Sequence, residues 1–151
     1  DALPISVADT FRGELDHNGQ LSVESSDEKL YVQADIKLIR QVLYNLISNA
    51  IKYSRPNPQV SVKLSSMNTK IEISISDNGI GIPPEDQNKL FQPFFRASNT
   101  RTIEGNGLGL NIAKEDLLLH GGDIRFESVQ SKGTTFFVYL PCNPSDNDSK
   151  K

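Results

Sequence analysis

A single cysteine, Cys142, serves a chain of 151 residues. No internal disulfide can form and no cysteine zinc cage can be built, which suits a reducing compartment. Basic charge is not in excess either: 16 Lys and Arg against 19 Asp and Glu leave a net charge of −3, and the pI is about 5.4. A nucleic-acid binder usually carries a basic stripe, so nucleic acid is not expected as a partner, and neither is direct contact with an anionic membrane. No apolar run is long enough to span a bilayer and no signal peptide opens the chain. No repeat of fixed period is present. Histidine is scarce, with only His17 and His120.

What is present suffices for one domain with a real core. A chain of this size buries about two thirds of the surface its unfolded form exposes. Residues 5–15 read as a short helix, ending at the turn Asp16-His17-Asn18-Gly19. Short strands are predicted around Leu21–Glu24 and Leu30–Gln33. The strongest helix runs from Asp35, placed to cap it, to about Tyr53, with Ile36, Ile39, Val42, Leu43, Leu46, Ile47 and Ala50 in one apolar arc. Pro56 and Pro58 end it. Val60, Val62 and Leu64, then Ile71, Ile73 and Ile75, alternate as the faces of two strands joined by a hairpin at Ser66-Met67-Asn68-Thr69. A further helix opens near Leu108 and stops at His120-Gly121-Gly122, where a glycine can take the left-handed cap. Ile124 and Phe126, then Phe136, Val138 and Leu140, mark the last strands. The class is α+β, with helices packed on one sheet face. Residues 143–151 form a polar tail with the composition of a disordered linker.

The polar residues fall into suggestive places. Gln41, Asn45, Asn49 and Lys52 share a narrow stripe of the long helix. Such a stripe is either a solvated face or a ligand face, in which amide oxygens meet a Mg²⁺ carried in on phosphates and the lysine meets the phosphates themselves. Asp77 shares parity with the buried isoleucines, so its carboxylate is aimed inward and requires hydrogen-bond donors. Thr134 stands in the mirror position on the last strand, and the pair would suit the amine of adenine. Asp77-Asn78-Gly79 could be a plain hairpin turn, but Pro83-Pro84 cannot feed a returning strand. Gly79 and Gly81 then read as points where the backbone approaches a ligand.

Between Asn78 and Gly107 the pattern breaks down except for a short helix at Glu85–Leu90, and loops of this length are functional or disordered. Phe91, Phe94 and Phe95 fit either the core or the anchor of a lid; Arg96 and Arg101 fit either solvent or a γ-phosphate clamp. Gly105-Asn106-Gly107-Leu108-Gly109-Leu110 offers a helix N-terminus to an anion. The buried strand of a Rossmann turn does not precede it, and a Gly-Lys-Ser/Thr phosphate loop is missing.

In this order and spacing the pieces resemble the histidine-kinase-type ATPases (the GHKL superfamily) and, within them, the sensor histidine kinases. Asn45-Leu-Ile-Ser-Asn49-Ala-Ile-Lys52-Tyr53 looks like the N box and Asp77-Asn-Gly79-Ile-Gly81-Ile82 like the first glycine box. Phe91-Gln-Pro-Phe94-Phe95-Arg96 looks like the F box and Gly105-Asn-Gly107-Leu108-Gly109-Leu110 like the second glycine box, with Gly133-Thr134 ahead of the last strand. The resemblance implies the Bergerat fold: a two-layer α/β sandwich with a mixed, mostly antiparallel sheet, helices on one face and a mobile ATP lid.

It also implies cofactors and roles. ATP and Mg²⁺ would bind, with Asp77 on the adenine amine, Thr134 beside it through water, Tyr53 lining the base pocket and Asn49 ligating the metal. Asn45 and Lys52 would lie near the phosphates and Arg96 on the γ-phosphate, with Ile82, Phe94, Leu108, Leu110 and the glycines completing the ATP site. ATPase branches of the superfamily carry a water-activating glutamate where this chain has Asn45, and an amide is no general base; that favours a kinase. Neither His17 nor His120 has the context of the family's phosphoacceptor. That residue is therefore expected on a dimerisation and phosphotransfer domain of the parent protein, outside residues 1–142, the catalytic domain. A chain opening on Asp1 rather than Met fits a piece cut from something longer. A response regulator downstream, a monomeric state for this piece and a cytoplasmic setting complete the expectation.

Overall fold

The computed structural model describes residues 19–25, 34–54, 56–67, 69–98 and 109–142. The head helix, the strand at residues 30–33, Arg101, most of the second glycine box and the tail lie outside these. In chain order the described elements are β1 (Gln20–Ser25), α1 (Ile36–Lys52), β2 (Gln59–Met67), β3 (Lys70–Ser76), a 3₁₀ helix (Pro84–Lys89), α2 (Gly109–Leu119), β4 (Asp123–Val129) and β5 (Gly133–Pro141). The five strands form one sheet in the order β1-β2-β3-β5-β4. β1 and β2 are parallel, with α1 between them in sequence, and every other pair is antiparallel. A parallel pair needs such a crossover, whereas hairpins serve the rest.

Side-chain alternation builds one apolar face. In register across the sheet stand Val23, Val62, Ile75, Phe136 and Phe126, and a second row runs Leu64, Ile73, Val138 and Ile124. α1 lays Leu43, Leu46 and Ile47 on this face, each essentially solvent-free; burying such a side chain stabilises by roughly 1.5–3 kcal/mol. Ala113 and Leu117 of α2 join the same core. The opposite face is mixed: Arg125 lies over the Phe137 ring at 4.7 Å, and the Ser76 and Thr135 hydroxyls pair at 2.8 Å.

The helix ends follow local chemistry. Asp35 caps α1 by accepting the Lys37 N–H at 2.9 Å. At the far end of α2, Gly121 takes φ 75°, and the N–H groups of Gly121 and Gly122 reach back to the carbonyls of Leu118 and Leu117, the paired closure that a left-handed glycine permits. His120 then ties the helices together. Its Nε2 accepts the Asp35 N–H at 3.0 Å and its Nδ1 stands 2.7 Å from the Asp116 carbonyl, so the proton is on Nδ1.

Two expectations need correcting. Ile36, assigned to the buried arc, is 62% exposed, because it is the first helical residue and lies a turn before the buried part of the stripe begins at Ile39. The β2–β3 ladder also runs further than the Ser66–Thr69 turn allowed, pairing Ser66 with Ile71 and Met67 with Lys70. Backbone pairing there overrides the polar composition, which was read as turn.

Candidate functional site

A cleft of about 250 Å³ opens between α1, the β3–3₁₀ loop and the start of α2, close to the lower end of the roughly 300–1,000 Å³ usual for small-molecule sites. Its floor is Asp77 and Thr134, one step past the end of β3 and near the start of β5. The Asp77 N–H donates to the Thr134 carbonyl at 2.9 Å, continuing the ladder by one rung. Asp77 Oδ1 accepts the N–H of Gly79 at 2.8 Å and that of Thr134 at 3.2 Å. Oδ2 receives no hydrogen bond among the described residues. Burial pushes the Asp77 carboxyl above its ordinary 3.8, opposed by those N–H donors. A half-paired, partly buried carboxylate facing a cavity is an acceptor awaiting a donor.

One wall is the polar stripe of α1. Asn45, Asn49, Lys52 and Tyr53 all line the cleft, because four- and three-residue steps keep them on one helical line. Gln41 lies a turn earlier and reaches Asn45 Oδ1 at 3.4 Å without entering the lining. The Asn49 amide makes no hydrogen bond among the described residues. Lys52 stands over the Tyr53 ring at 5.1 Å from the centroid. Burial raises the Tyr53 phenol from its ordinary 10.0, while the charge and hydrogen bond of Arg96 act the other way. Lys52 and Arg96 therefore bring positive charge to the cleft, with Asp77 at its floor.

The N-terminus of α2 closes another side. Gly109 and Leu110 line the cleft, and a Cβ on Gly109 would stand 3.7 Å from Asn45 Cγ. The first N–H groups of a helix have no partner within it and favour an anion. Gly105, Gly107 and Leu108 lie outside the described residues.

Some of the expected site residues sit differently. Gly81 and Ile82 line the cleft, but the glycines serve the protein's own backbone. At Gly81 φ is +68° and a Cβ would collide with the Val129 carbonyl; at Gly79 a Cβ would stand 2.5 Å from the Tyr53 carbonyl. Gly79 faces a second, shallower groove beside Asn78 and Gln130. Phe94 is 71% exposed with φ 63° and is not part of the lining, which takes Phe95 instead. The left-handed residue reverses the chain at Phe94, turning it outward and Phe95 inward. Phe91 belongs to the core edge, 5.8 Å from Phe126 edge to face, with Lys114 above its ring. Sequence reasoning also passed over Leu90, Ala97 and Phe136 in the lining; alternation marks Phe136 only as core, and nothing local points Leu90 or Ala97 at a ligand.

The donor set bears on a metal. Among the described residues no group of His, Cys, Asp and Glu could cage an ion. Neutral amide oxygens at Asn45 and Asn49 instead fit Mg²⁺ that keeps most of its waters and arrives on phosphates.

Known proteins resemble this chain in sequence and fold. The profile of the "Histidine kinase-, DNA gyrase B-, and HSP90-like ATPase" family matches residues 34–144. The sensor histidine kinase WalK of Bacillus subtilis is 40% identical over 146 residues, covering 94% of this chain and 24% of WalK. The chain thus spans about a quarter of that relative's length. The solved mycobacterial sensor histidine kinase MprB superposes with a TM-score of 0.84 at 30% identity over 95% of both chains. Histidine kinase ThkA, solved in complex with the response regulator protein TrrA, superposes with a TM-score of 0.75 at 32% identity over 95% of this chain and 40% of that one.

Proposed function

The chain belongs to the histidine kinase-, DNA gyrase B- and HSP90-like ATPase family, and from that premise we propose that it is the catalytic, ATP-binding domain of a sensor histidine kinase. It holds Mg-ATP in the cleft and passes the γ-phosphoryl group to a histidine on a dimerisation domain of its parent protein. The observation that carries this reading is the state of Asp77. Two backbone donors saturate Oδ1 and leave Oδ2 to accept the exocyclic amine of adenine.

The remaining roles follow from charge and position. Tyr53 and Ile82 flank the base, and Thr134 lies beside Asp77. Asn49 would hold Mg²⁺ with Asn45 next to it, and the ion would neutralise phosphate charge. Lys52 and Arg96 supply the protein's own positive charge to the phosphates, Arg96 at the γ-phosphoryl end. Gly109 and Leu110 offer the α2 N-terminus, with Gly105, Gly107 and Leu108 preceding it. In phosphoryl transfer, positioning and charge neutralisation supply most of the catalysis. No carboxylate stands at position 45 to deprotonate water, so the γ-phosphoryl group is kept for a better nucleophile, an imidazole.

A response regulator is the expected downstream partner, as the solved ThkA–TrrA complex suggests by likeness. No described helix is long and apolar enough to cross a membrane, and a cytoplasmic setting is proposed from the kinase reading itself. The test joins this chain to a dimerisation domain bearing a phosphoacceptor histidine and supplies ATP labelled at the γ-phosphate. Acid-labile, base-stable label on the acceptor supports the reading. Acid-stable label would make the chain a serine kinase, and rapid phosphate release from the chain alone would make it an ATPase.

A further inference from the structure

Ser128 Oγ, on β4, meets three groups at once. It accepts the Ile82 N–H at 2.8 Å, stands 3.2 Å from the Gly133 carbonyl and lies 2.8 Å from Thr134 Oγ1. A serine hydroxyl has one proton and two lone pairs. The Ile82 N–H only donates, so it occupies a lone pair; the Gly133 carbonyl only accepts, so it takes the proton. All three contacts are hydrogen bonds only when Thr134 donates into the remaining lone pair. The single Thr134 proton is then directed at Ser128, and a ligand meets Thr134 as an acceptor. Next to it stands Asp77, whose Oδ2 also only accepts. Gln87 holds this arrangement from outside, its amide donating to the carbonyls of Ile82 at 3.1 Å and Ser128 at 3.3 Å.

We propose that Ser128 is a positioning residue for base selection: by holding the Thr134 proton it makes the floor of the cleft acceptor-only, which accepts a 6-amino purine and rejects a 6-oxo purine. This rests on the nucleotide reading above and adds to it a residue that touches no nucleotide. Ser128 does not line the cleft, and its influence passes through Thr134 and Ile82.

The test is competitive titration of Mg-ADP and Mg-IDP, which differ at position 6 of the base. Wild type is compared with Ser128→Ala, Ser128→Thr and Thr134→Val. The preference for ADP over IDP should fall about fivefold in Ser128→Ala, the worth of one net hydrogen bond. It should persist in Ser128→Thr, which keeps the hydroxyl, and fall in Thr134→Val, which leaves Ser128 and Ile82 paired. Adding Ser128→Ala to Thr134→Val should change the ratio no further. Equal weakening of both nucleotides by Ser128→Ala would make the serine a prop for Ile82 alone and overturn the proposal. An unchanged ratio in Thr134→Val would do the same even if Ser128→Ala did not fold. Wild type binding neither nucleotide would instead sink the nucleotide reading, and the proposal with it.

Discussion

Asp77 and Thr134 clasp each other in both directions: the Asp77 N–H donates to the Thr134 carbonyl at 2.9 Å, and the Thr134 N–H donates to Asp77 Oδ1 at 3.2 Å. The glycine loop is thereby locked to the last strand, and the carboxylate is held where water reaches it poorly. Its environment is costly for the folded chain and useful for a ligand.

That cost has a sign. Burial raises the Asp77 pKa above 3.8 in the fold. Below that value both states hold the proton and the associated stability is fully present. As pH rises through the raised folded pKa, the fold must give up a proton it holds more tightly than the unfolded chain, and stability falls. Urea midpoints measured from pH 3 upward should show this downward component in wild type and lack it in Asp77→Asn. At neutral pH the variant should be at least as stable as wild type.

α1 separates buried from exposed apolar residues. Leu46→Ala should destabilise by about 2–5 kcal/mol, since it empties a fully packed site. Ile36→Ala should stay within about 0.5 kcal/mol, as surface changes do. Chemical denaturation of both variants checks the assignment of the helix face.

Gly81 has no room for a side chain and a backbone angle that disfavours one. Gly81→Ala should cost about 1–3 kcal/mol through the left-handed φ and the clash with the Val129 carbonyl. The loss should appear in thermal unfolding without nucleotide. A variant as stable as wild type that merely bound nucleotide less well would restore the reading of Gly81 as a ligand-approach glycine.

Asn49 is expected to act through the metal. In Mg²⁺, Asn49→Ala should weaken ATP binding about tenfold. In EDTA it should bind ATP as wild type does. Equal loss under both conditions would assign Asn49 to the nucleotide itself or to the fold.

Much of this was legible beforehand because the signals were periodic. The arc from Ile39 to Ala50 and the isoleucines of β3 lie where their spacing put them, and Asp35 and Gly121 end their helices as short-range chemistry requires. Parity placed Asp77 and Thr134 opposite one another. Irregular backbone was less readable. Nothing local distinguishes Phe94 from Phe95, since which one turns inward depends on a positive φ that sequence spacing does not encode. Gly79 and Gly81 read from sequence as points of ligand approach, and only three-dimensional contact reveals that the Tyr53 and Val129 backbones crowd them. Ser128 was invisible because its partners lie 46 and 6 residues away in sequence.

The central claim is tested most directly by calorimetric titration of Mg-ATP into wild type and Asp77→Asn. The account predicts binding by wild type and a loss of about 10- to 100-fold in the variant, the worth of a hydrogen bond to a charged group, in a protein no less stable than its parent. Equal binding by the two proteins would make Asp77 a structural residue and contradict the placement of the base.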